Sequence, residues 1–308
     1  MNITEAVEEL QKRKDPISWK ETTAVDAVLK TYTHYYNLPT DVDYGFGTYE
    51  TGDVHIKAQV FTPKGTVKKT VLVLHGYLDH TGAISPLIRY LTALSCRVVS
   101  FDLIGHGLSE GERYSINQFE DYSDSVISIV SQLKQSYNMD IDVIAHSTGA
   151  AAVLNGILHN DIFHKTIFLA PLIRPAHWSL VRVGHFCTKH YITTVRRTIR
   201  NNTSNKRFKR EMKQDPLQYR ELPVSWVSAL IRWNVTMKRN RSTTRPIVII
   251  QGEKDKTVDW RFNCTFICEK FPGTKVYFIE KGKHQLINEK AEIQQEVFQS
   301  IYDELFKF

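Results

Sequence analysis

Residues 141–150, with the sequence IDVIAHSTGA, constrain the fold more than any other segment of the chain. The β-branched apolar run that opens the segment predicts a strand, and the small residues that close it predict a helix. Ser147 lies on the sharp turn between them, where a GxSxG pattern presents a hydroxyl at the edge of a sheet. Ala145 replaces the first Gly of that pattern, and Ala150 stands where a further Gly is frequent. A serine here is also a common helix N-cap, so partners elsewhere must decide its role.

Short apolar runs alternate with helical patterns from Val71 to Ala170 and again beyond Pro246. Parallel strands joined by helices produce this alternation, because each crossover helix returns the chain across one face of the sheet. The sequence therefore predicts an α/β fold with a mostly parallel eight-stranded sheet and helices on both faces. The predicted strands are the two arms of a hairpin within 44–61, then 70–74, 97–101, 141–144, 165–170, 247–251 and 275–279.

The chain is long enough for one large α/β domain with an insertion. The sequence predicts a helical appendage over residues 1–40. It predicts a core domain formed by residues 41–171 and 242–308. Residues 172–241 interrupt the alternation after the sixth strand, so we expect them to form a helical cap over the carboxyl edge of the sheet. No apolar run approaches the length of a membrane span, and the polar first residues are unlike an export signal. We therefore expect a cytoplasmic protein.

The basic cap segment, residues 172–241, differs from the rest of the chain in charge. It contains sixteen Lys and Arg against three acidic residues, an excess of thirteen positive charges, whereas the whole chain carries a net charge of +7. Such a surface attracts phosphate groups or an anionic membrane, which favours peripheral contact at the inner membrane surface. A solvated basic face is the alternative. Nucleic-acid binding is not expected, because no recognised motif accompanies the charge.

Local signals predict further helices and argue against a metal site. Ser115 and Gln118 have the spacing of a capping box at the start of a helix. Within the basic cap segment, helices are predicted around 178–200 and 224–237. His185 and His190 flank Cys187, but this spacing matches no zinc pattern, and the four cysteines are too sparse for a disulfide framework.

A nucleophilic Ser147 requires a base and an acid, which follow later strands in the order Asp or Glu, then His. His284 is the only one of the twelve histidines that lies beyond Pro246, and it follows the strand 275–279 directly. Asp255 follows the strand 247–251 and can reach across to the loop that holds His284. The sequence therefore predicts a triad of Ser147, Asp255 and His284. The rival carboxylates are Glu253, Asp259 and Asp215.

A second loop at the same edge can supply an oxyanion donor. The segment HGYLDHTG, residues 75–82, follows the strand 70–74 and opens into a helical stretch. Gly76 allows the chain to turn, and Tyr77 can then point its backbone N–H at a developing oxyanion. An ordinary strand-to-helix loop is the alternative for this segment taken alone.

Five segments resemble motifs of the α/β-hydrolase branch that contains monoacylglycerol lipases and bacterial lysophospholipases. Residues 215–226, DPLQYRELPVSW, also resemble the cap of that family. The resemblance covers about residues 45–308. The five motifs are HGYLDHTG (75–82), DLIGHGLSEGER (102–113), AHSTGA (145–150), GEKDKTV (252–258) and KGKHQL (281–286).

The resemblance implies roles for individual residues. It implies that Ser147 is the nucleophile, Asp255 the acid and His284 the base. It also implies that the amides of Tyr77 and Thr148 form the oxyanion hole. A further implication is that His106 and Arg113 support the 102–113 loop. Hydrolysis of an ester by this machinery needs neither a metal nor an organic cofactor.

The substrate class that the resemblance implies is a monoacyl lipid ester, and the basic cap segment favours a lysophospholipid over a neutral monoacylglycerol. A peptidase of the prolyl-aminopeptidase type shares the triad order and the cap. Such a peptidase needs acidic groups near the cleft to hold the substrate amine, and this cap is poor in acids. A non-catalytic binding protein on the same scaffold would usually have lost a member of the triad.

Overall fold

A computed structural model describes residues 1–158, 161–196, 201–240 and 242–307. The strands are β1 (Val42–Thr51), β2 (Val54–Pro63), β3 (Lys69–Leu74), β4 (Cys96–Phe101), β5 (Ile141–His146), β6 (Thr166–Leu169), β7 (Thr194–Arg196), β8 (Glu221–Pro223), β9 (Val248–Gly252) and β10 (Lys275–Ile279). The helices are α1 (Ile3–Lys12), α2 (Ala27–Tyr35), α3 (Ser85–Ala93), α4 (Glu120–Tyr137), α5 (Thr148–Ile157), α6 (Trp178–Thr188), α7 (Lys206–Gln214), α8 (Val224–Arg239), α9 (Trp260–Lys270) and α10 (Ala291–Phe306).

The central sheet has eight strands in the order β1-β2-β4-β3-β5-β6-β9-β10. The hairpin partners β1 and β2 run antiparallel, and β2 also pairs antiparallel with β4, whereas all further neighbours are parallel. This arrangement confirms the predicted fold class. The strand order reverses its direction at β3, and ligands of open α/β sheets bind at the carboxyl edge beside such a reversal.

Alternate residues of each inner strand enter two separate cores, one on each face of the sheet. In β3, Leu72 and Leu74 pack with α4 and α5, whereas Val71 and Val73 pack with α3 and α10. The period of two along a strand explains why a continuous apolar run indicates burial on both faces. The inner strands of the sheet are therefore buried on both faces, and its carboxyl edge carries the loops that follow the parallel strands.

The N-terminal helices pack on the same face as α3 and α10. Leu10 of α1 and Leu29 and Tyr32 of α2 are fully buried in that core. Among the described residues, no helix combines the length and the apolarity that crossing a bilayer requires.

The basic cap segment follows β6, as predicted, but its internal structure differs from the prediction. The helix expected over 178–200 ends at Thr188, and the chain then forms β7, which pairs with β8. The part of that prediction at 197–200 lies outside the described residues. The β-branched run from Ile192 to Val195 favours a strand, which explains the early end of α6.

Helix α7 was not predicted, because six of its nine residues are charged. Phe208 and Met212 are its only apolar residues, and Met212 is the one that is buried. The Asn205 side chain accepts hydrogen bonds from the first turn of α7. This N-cap, together with an apolar pair four residues apart, is the signal that identifies the helix in retrospect.

The predicted capping box at Ser115 and Gln118 is wrong. Helix α4 begins at Glu120, and its N-cap residue is Phe119, whose side chain makes no capping hydrogen bond. The Ser115 hydroxyl lies 2.7 Å from the hydroxyl of Ser225 in α8 instead. A tertiary partner in the cap has therefore replaced the local bond that the sequence pattern indicated.

Candidate active site

Ser147 lies on a strained turn between β5 and α5. Its backbone has φ 50° and ψ −108°, a conformation that L-residues rarely adopt. The Ser147 amide donates to the Leu169 carbonyl of β6, and the amide of Leu172 donates back to the Ser147 carbonyl. These bonds hold the turn from both sides. Ala145 and Ala150 are fully buried in this arrangement, so the turn forms with a methyl group at both positions.

His284 connects Ser147 to Asp255 by hydrogen bonds. The loop after β10 places the His284 Nε2 atom 3.1 Å from the Ser147 hydroxyl oxygen. The other ring nitrogen, Nδ1, lies 2.7 Å from a carboxylate oxygen of Asp255, in the loop after β9. Because a carboxylate accepts, Nδ1 carries the proton and Nε2 is left to accept from the serine. The structure thus brings the three predicted side chains together in the required order.

The Asp255 carboxylate is buried, and several donors hold its negative charge. Its second oxygen accepts from the amides of Thr257 and Val258, at 2.7 and 3.2 Å. Burial alone would raise the pKa of Asp255, but the attraction of His284 and these hydrogen bonds outweigh burial and lower it. Asp255 therefore remains a carboxylate that can stabilise a positively charged imidazole.

Two of the rival acids have other partners, and the third is partly exposed. Asp259 forms an ion pair with Arg174 at 2.9 Å and caps the start of α9. Asp215 bonds to His80, and Glu253 lies partly exposed at the end of β9. Asp255 is the one of these four carboxylates with a hydrogen bond to His284 among the described residues.

The His-Gly loop, residues 75–80, packs directly against the turn that holds Ser147. A methyl group added at Gly76 would lie 3.1 Å from the Ser147 Cβ and 2.7 Å from a ring nitrogen of His146. This close approach requires Gly, and Tyr77 follows Gly76 directly in the chain. Thr148 is the first residue of α5, where N–H groups have no acceptor within the helix. Tyr77 and Thr148 thus each adjoin, along the chain, a residue of this contact, and their role as oxyanion donors stays a prediction.

His146 braces the loop that holds His284. Its ring lies 4.8 Å from the His284 ring, and its Nε2 donates to the backbone carbonyl of His284 at 3.1 Å. Burial lowers the pKa of His146 to about 3, so the ring is neutral. The sequence prediction did not identify this contact, although His146 immediately precedes Ser147.

His106 and Arg113 both hydrogen-bond within the 102–113 loop. His106 donates from Nδ1 to the carbonyl of Ile104, and Arg113 donates to the carbonyl of Gly107. Burial lowers the pKa of His106 to about 3. Asp102, which the sequence prediction did not single out, is completely buried. Its carboxylate accepts hydrogen bonds from the amide of Leu108 in this loop and from the amide of Thr81, which follows the His-Gly loop.

A buried polar cluster links the N-terminal helices, the His-Gly loop and the basic cap segment. Asp215 of the cap accepts from the Tyr36 hydroxyl at 2.7 Å and from His80 Nε2 at 2.8 Å. Burial lowers the pKa of His80, but attraction to Asp215 outweighs it and leaves the pKa raised. Attraction to His80 in turn lowers the pKa of Asp215 against the effect of burial. Residues 1–40, in which the sequence revealed no chemistry, thus contribute to a contact beside the candidate site.

Comparison with known proteins agrees with the geometry. The profile of the family described as serine aminopeptidase, S33, matches residues 65–291. A monoglyceride lipase homolog of monkeypox virus is 24% identical over 262 residues, which cover 82% of this chain and 94% of that protein. A probable lysophospholipase L2 of Haemophilus influenzae is 23% identical over 286 residues, covering 82% of this chain and 90% of that protein.

A solved structure shares the fold. It is a soluble variant of monoglyceride lipase from Saccharomyces cerevisiae in complex with a substrate analog, with a TM-score of 0.74 and 16% identity. The alignment covers 84% of this chain and 94% of that one. The predicted resemblance is therefore confirmed. This chain belongs to the serine aminopeptidase S33 family and has the α/β-hydrolase fold.

Proposed function

We propose that this chain is a serine hydrolase that cleaves carboxylic esters of monoacyl lipids through an acyl-enzyme intermediate. The observation that carries the proposal is the continuous line of hydrogen bonds from Ser147 through His284 to Asp255. In this arrangement Ser147 is the nucleophile, His284 is the general base and Asp255 orients and stabilises the base.

The reaction has two steps. His284 Nε2 takes the hydroxyl proton while Ser147 Oγ bonds to the ester carbonyl carbon, and the carbonyl oxygen becomes an oxyanion between the amides of Tyr77 and Thr148. As the tetrahedral intermediate collapses, the bond to the alcohol breaks and His284 returns the proton to the leaving oxygen. Water then repeats the sequence on the acyl-enzyme and releases the fatty acid. A single oxyanion donor contributes about 10²–10³ to kcat in comparable sites.

The basic cap segment acts as a cover over a core formed by residues 41–171 and 242–308, with residues 1–40 appended to it. Ser147 and His284 are both only 5% exposed, which supports a covered site. Exclusion of water strengthens the electrostatic stabilisation of the oxyanion.

The positive charge of the cap favours a lysophospholipid over a neutral monoacylglycerol. Sixteen cations against three acids attract a phosphate-bearing headgroup toward the site. The names of the relatives support both substrates, since one is a monoglyceride lipase homolog and another a probable lysophospholipase. Rates on a lysophospholipid and on a monoacylglycerol with the same acyl chain would decide the substrate. A lysophospholipid rate no higher than that on short neutral esters would contradict the preference.

A serine aminopeptidase is the second candidate, because it is the activity in the family description. Within the described part of the cap, Asp215 is engaged by His80 and Tyr36, and Glu211 pairs with Arg207. These two acids are therefore not free to hold a substrate amine, and the third acid of the cap, Glu221, is exposed at the start of β8.

We also propose that the cap contacts anionic membrane surfaces through α6. No residue of α6 is buried, and Leu180, Val183 and Phe186 are 72%, 62% and 74% exposed. These apolar side chains recur every three residues, Arg182 lies on the same helix, and Lys189 follows its last residue. An apolar helix face with neighbouring cations is suited to insert at the headgroup level of an anionic bilayer.

Vesicle cosedimentation tests this contact. Binding should be stronger to vesicles that contain phosphatidylserine than to phosphatidylcholine alone, and a Leu180→Asp, Phe186→Asp variant should lose it. Phe278→Asp is the matched control, because Phe278 is 50% exposed on β10, outside the cap. Equal binding by the variant and the wild type would refute the contact.

The catalytic proposal is tested with an ester panel, an aminoacyl-amide panel and a fluorophosphonate probe. Wild-type protein should hydrolyse the esters in preference to the amides, and the probe should label it covalently. Ser147→Ala should abolish hydrolysis and labelling with an unchanged unfolding temperature. Persistent turnover by this variant would exclude Ser147 as the nucleophile, and preferential cleavage of the amides would favour the peptidase.

A further inference from the structure

The His-Gly loop contains a strained residue immediately after the proposed oxyanion donor Tyr77. Leu78 has φ 69°, in the left-handed region that side chains other than those of Gly, Asn and Asp rarely adopt. Such a conformation persists only where the surrounding contacts hold it. Because Leu78 follows Tyr77 directly, a relaxation of Leu78 to negative φ would move Tyr77 relative to the buried His80.

Three contacts on this loop come from the basic cap segment, whereas Gln285 of the core domain donates to Asp79 at 2.8 Å. Gln218 Nε2 donates to the Leu78 carbonyl at 2.6 Å. The Trp226 indole of α8 stacks on the Tyr77 ring, with the ring centroids 3.9 Å apart and an interplanar angle of 22°. The ion pair with Asp215 anchors His80, so one stretch of the cap holds the loop at three points.

Tyr77 also contacts the core domain, through a residue that is itself hydrogen-bonded to the cap. The Tyr77 hydroxyl donates to the backbone carbonyl of Tyr114 at 2.8 Å, and the Tyr114 hydroxyl donates to the carbonyl of Leu217 in the cap at 2.9 Å. The Tyr77 ring is therefore held between Trp226 on one side and the chain at Tyr114 on the other. This geometry ties the position of Tyr77 to the position of the cap.

We propose that Gln218 and Trp226 are positioning residues of the oxyanion hole, so that the hole assembles only when the cap is closed. The proposal rests on the proposed ester hydrolysis and on the role of the Tyr77 amide in it. Withdrawal of the cap removes the Leu78 hydrogen bond and the Tyr77 stack together. The loop then relaxes, and the Tyr77 N–H no longer points at the oxyanion. Cap closure thereby couples coverage of the substrate to stabilisation of the transition state.

Two variants test the positioning role without altering the triad. Gln218→Met removes the donor at nearly constant side-chain length, and Trp226→Leu removes the stacked ring. Loss of an entire oxyanion donor costs about 10²–10³ in kcat, so a misplaced donor should cost about tenfold to a hundredfold. KM should change little, because the interaction acts on the transition state. The rate of fluorophosphonate labelling should fall in parallel with kcat.

A conservative variant and a matched control separate positioning from general destabilisation. Trp226→Phe keeps a ring that can stack on Tyr77 and should recover most of kcat. Trp233→Leu alters the same helix, but Trp233 is only 1% exposed and stacks on Phe119 at 5.2 Å. We expect that control to lower the unfolding temperature and to leave kcat near the wild-type value. The double variant of Gln218 and Trp226 should lose less than the product of the single losses, because both act on one loop.

Amide hydrogen exchange of residues 76–80 gives a readout that does not depend on turnover. Exchange should become faster in Gln218→Met and Trp226→Leu and remain unchanged in Trp233→Leu. The inference is overturned if kcat and labelling stay at the wild-type level while KM rises, or if Trp233→Leu loses as much kcat as Trp226→Leu. A wild-type protein that neither hydrolyses esters nor accepts the probe would instead refute the proposed function, and the inference would fall with it.

Discussion

Replacing Asp215 with Asn removes the charge that joins three separate parts of the chain. The carboxylate accepts from the Tyr36 hydroxyl, from His80 Nε2 and from the Leu217 amide, at 2.7, 2.8 and 2.8 Å. The His80 ring is completely buried, and the Asp215 side chain is 10% exposed. At a pH where His80 is protonated, the variant therefore leaves a buried imidazolium without its partner.

The magnitude of the loss depends on the protonation state of His80. Breaking a buried ion pair by removing one partner costs about 3–5 kcal/mol. His80 can release its proton, and Asp79 and Asp102 still attract it, which together limit the loss to about 2–3 kcal/mol. For a chain of 308 residues, such a loss corresponds to a decrease in Tm of roughly 3–5 °C.

The pKa shifts determine the pH dependence of this loss. Because the pKa of His80 is raised, its contribution to stability is complete below the ordinary value of 6.5 and is lost as pH rises through the folded value. Because the pKa of Asp215 is lowered, its contribution is complete above the ordinary value of 3.8 and is lost as pH falls through the folded value. The ion pair therefore stabilises the fold most strongly in the mildly acidic window between these values.

Thermal unfolding at pH 6 and pH 9 tests the reasoning. The Tm difference between wild type and Asp215→Asn should be larger at pH 6 than at pH 9. Tyr36→Phe is the control, since it removes one neutral donor to the same carboxylate and should cost about 1 kcal/mol with little pH dependence. A Tm difference for Asp215→Asn that is equal at the two pH values would refute the charge assignment.

Three further substitutions follow from the geometry. Asp255→Asn should retain the fold and lower kcat about 10⁴-fold, because an amide does not hold His284 in the required tautomer; steady-state kinetics would show a smaller loss if another acid served. Gly149→Ala would place a methyl group 2.5 Å from the His75 carbonyl oxygen. It should cost about 1–3 kcal/mol in urea unfolding, and an unchanged midpoint would contradict this close approach. Gln118→Ala should change the free energy of unfolding by less than about 0.5 kcal/mol, because Gln118 does not cap α4; a larger loss would reinstate the capping box.

The convergence of Ser147, Asp255 and His284 could be predicted because, in a parallel sheet, the order of strands and loops along the chain determines which residues reach the same edge. Each residue lies in the turn or loop that follows a parallel strand, and parallel strands end at one edge of the sheet. Short apolar runs locate those strands reliably, since residues buried on both faces leave little room for polar side chains. The site geometry was therefore accessible from local patterns alone, whereas the chemical roles await the kinetic experiments.

Contacts between distant segments could not be predicted in this way. Tyr36 and Asp215 are separated by 179 positions, and no local pattern relates a tyrosine near the N-terminus to an acid in the cap. The Ser115 hydroxyl likewise found a partner in α8 rather than in its own helix. Inside the cap, α7 has too few apolar residues to reveal its period, because one buried side chain is sufficient to dock it. Contacts with residues distant in sequence therefore determine these hydrogen bonds and the presence of α7.

The backbone conformation of Ser147 lowers the stability of the fold at the same position that the proposed activity requires. An L-residue held at φ 50° and ψ −108° stores about 1–3 kcal/mol of conformational energy, which the rest of the fold must supply. Gly relaxes that strain, although it also gives the unfolded chain more freedom. A laboratory screen for heat tolerance alone would therefore tend to recover Gly at position 147, and thermostable clones from such a screen should be assayed for turnover before they are kept.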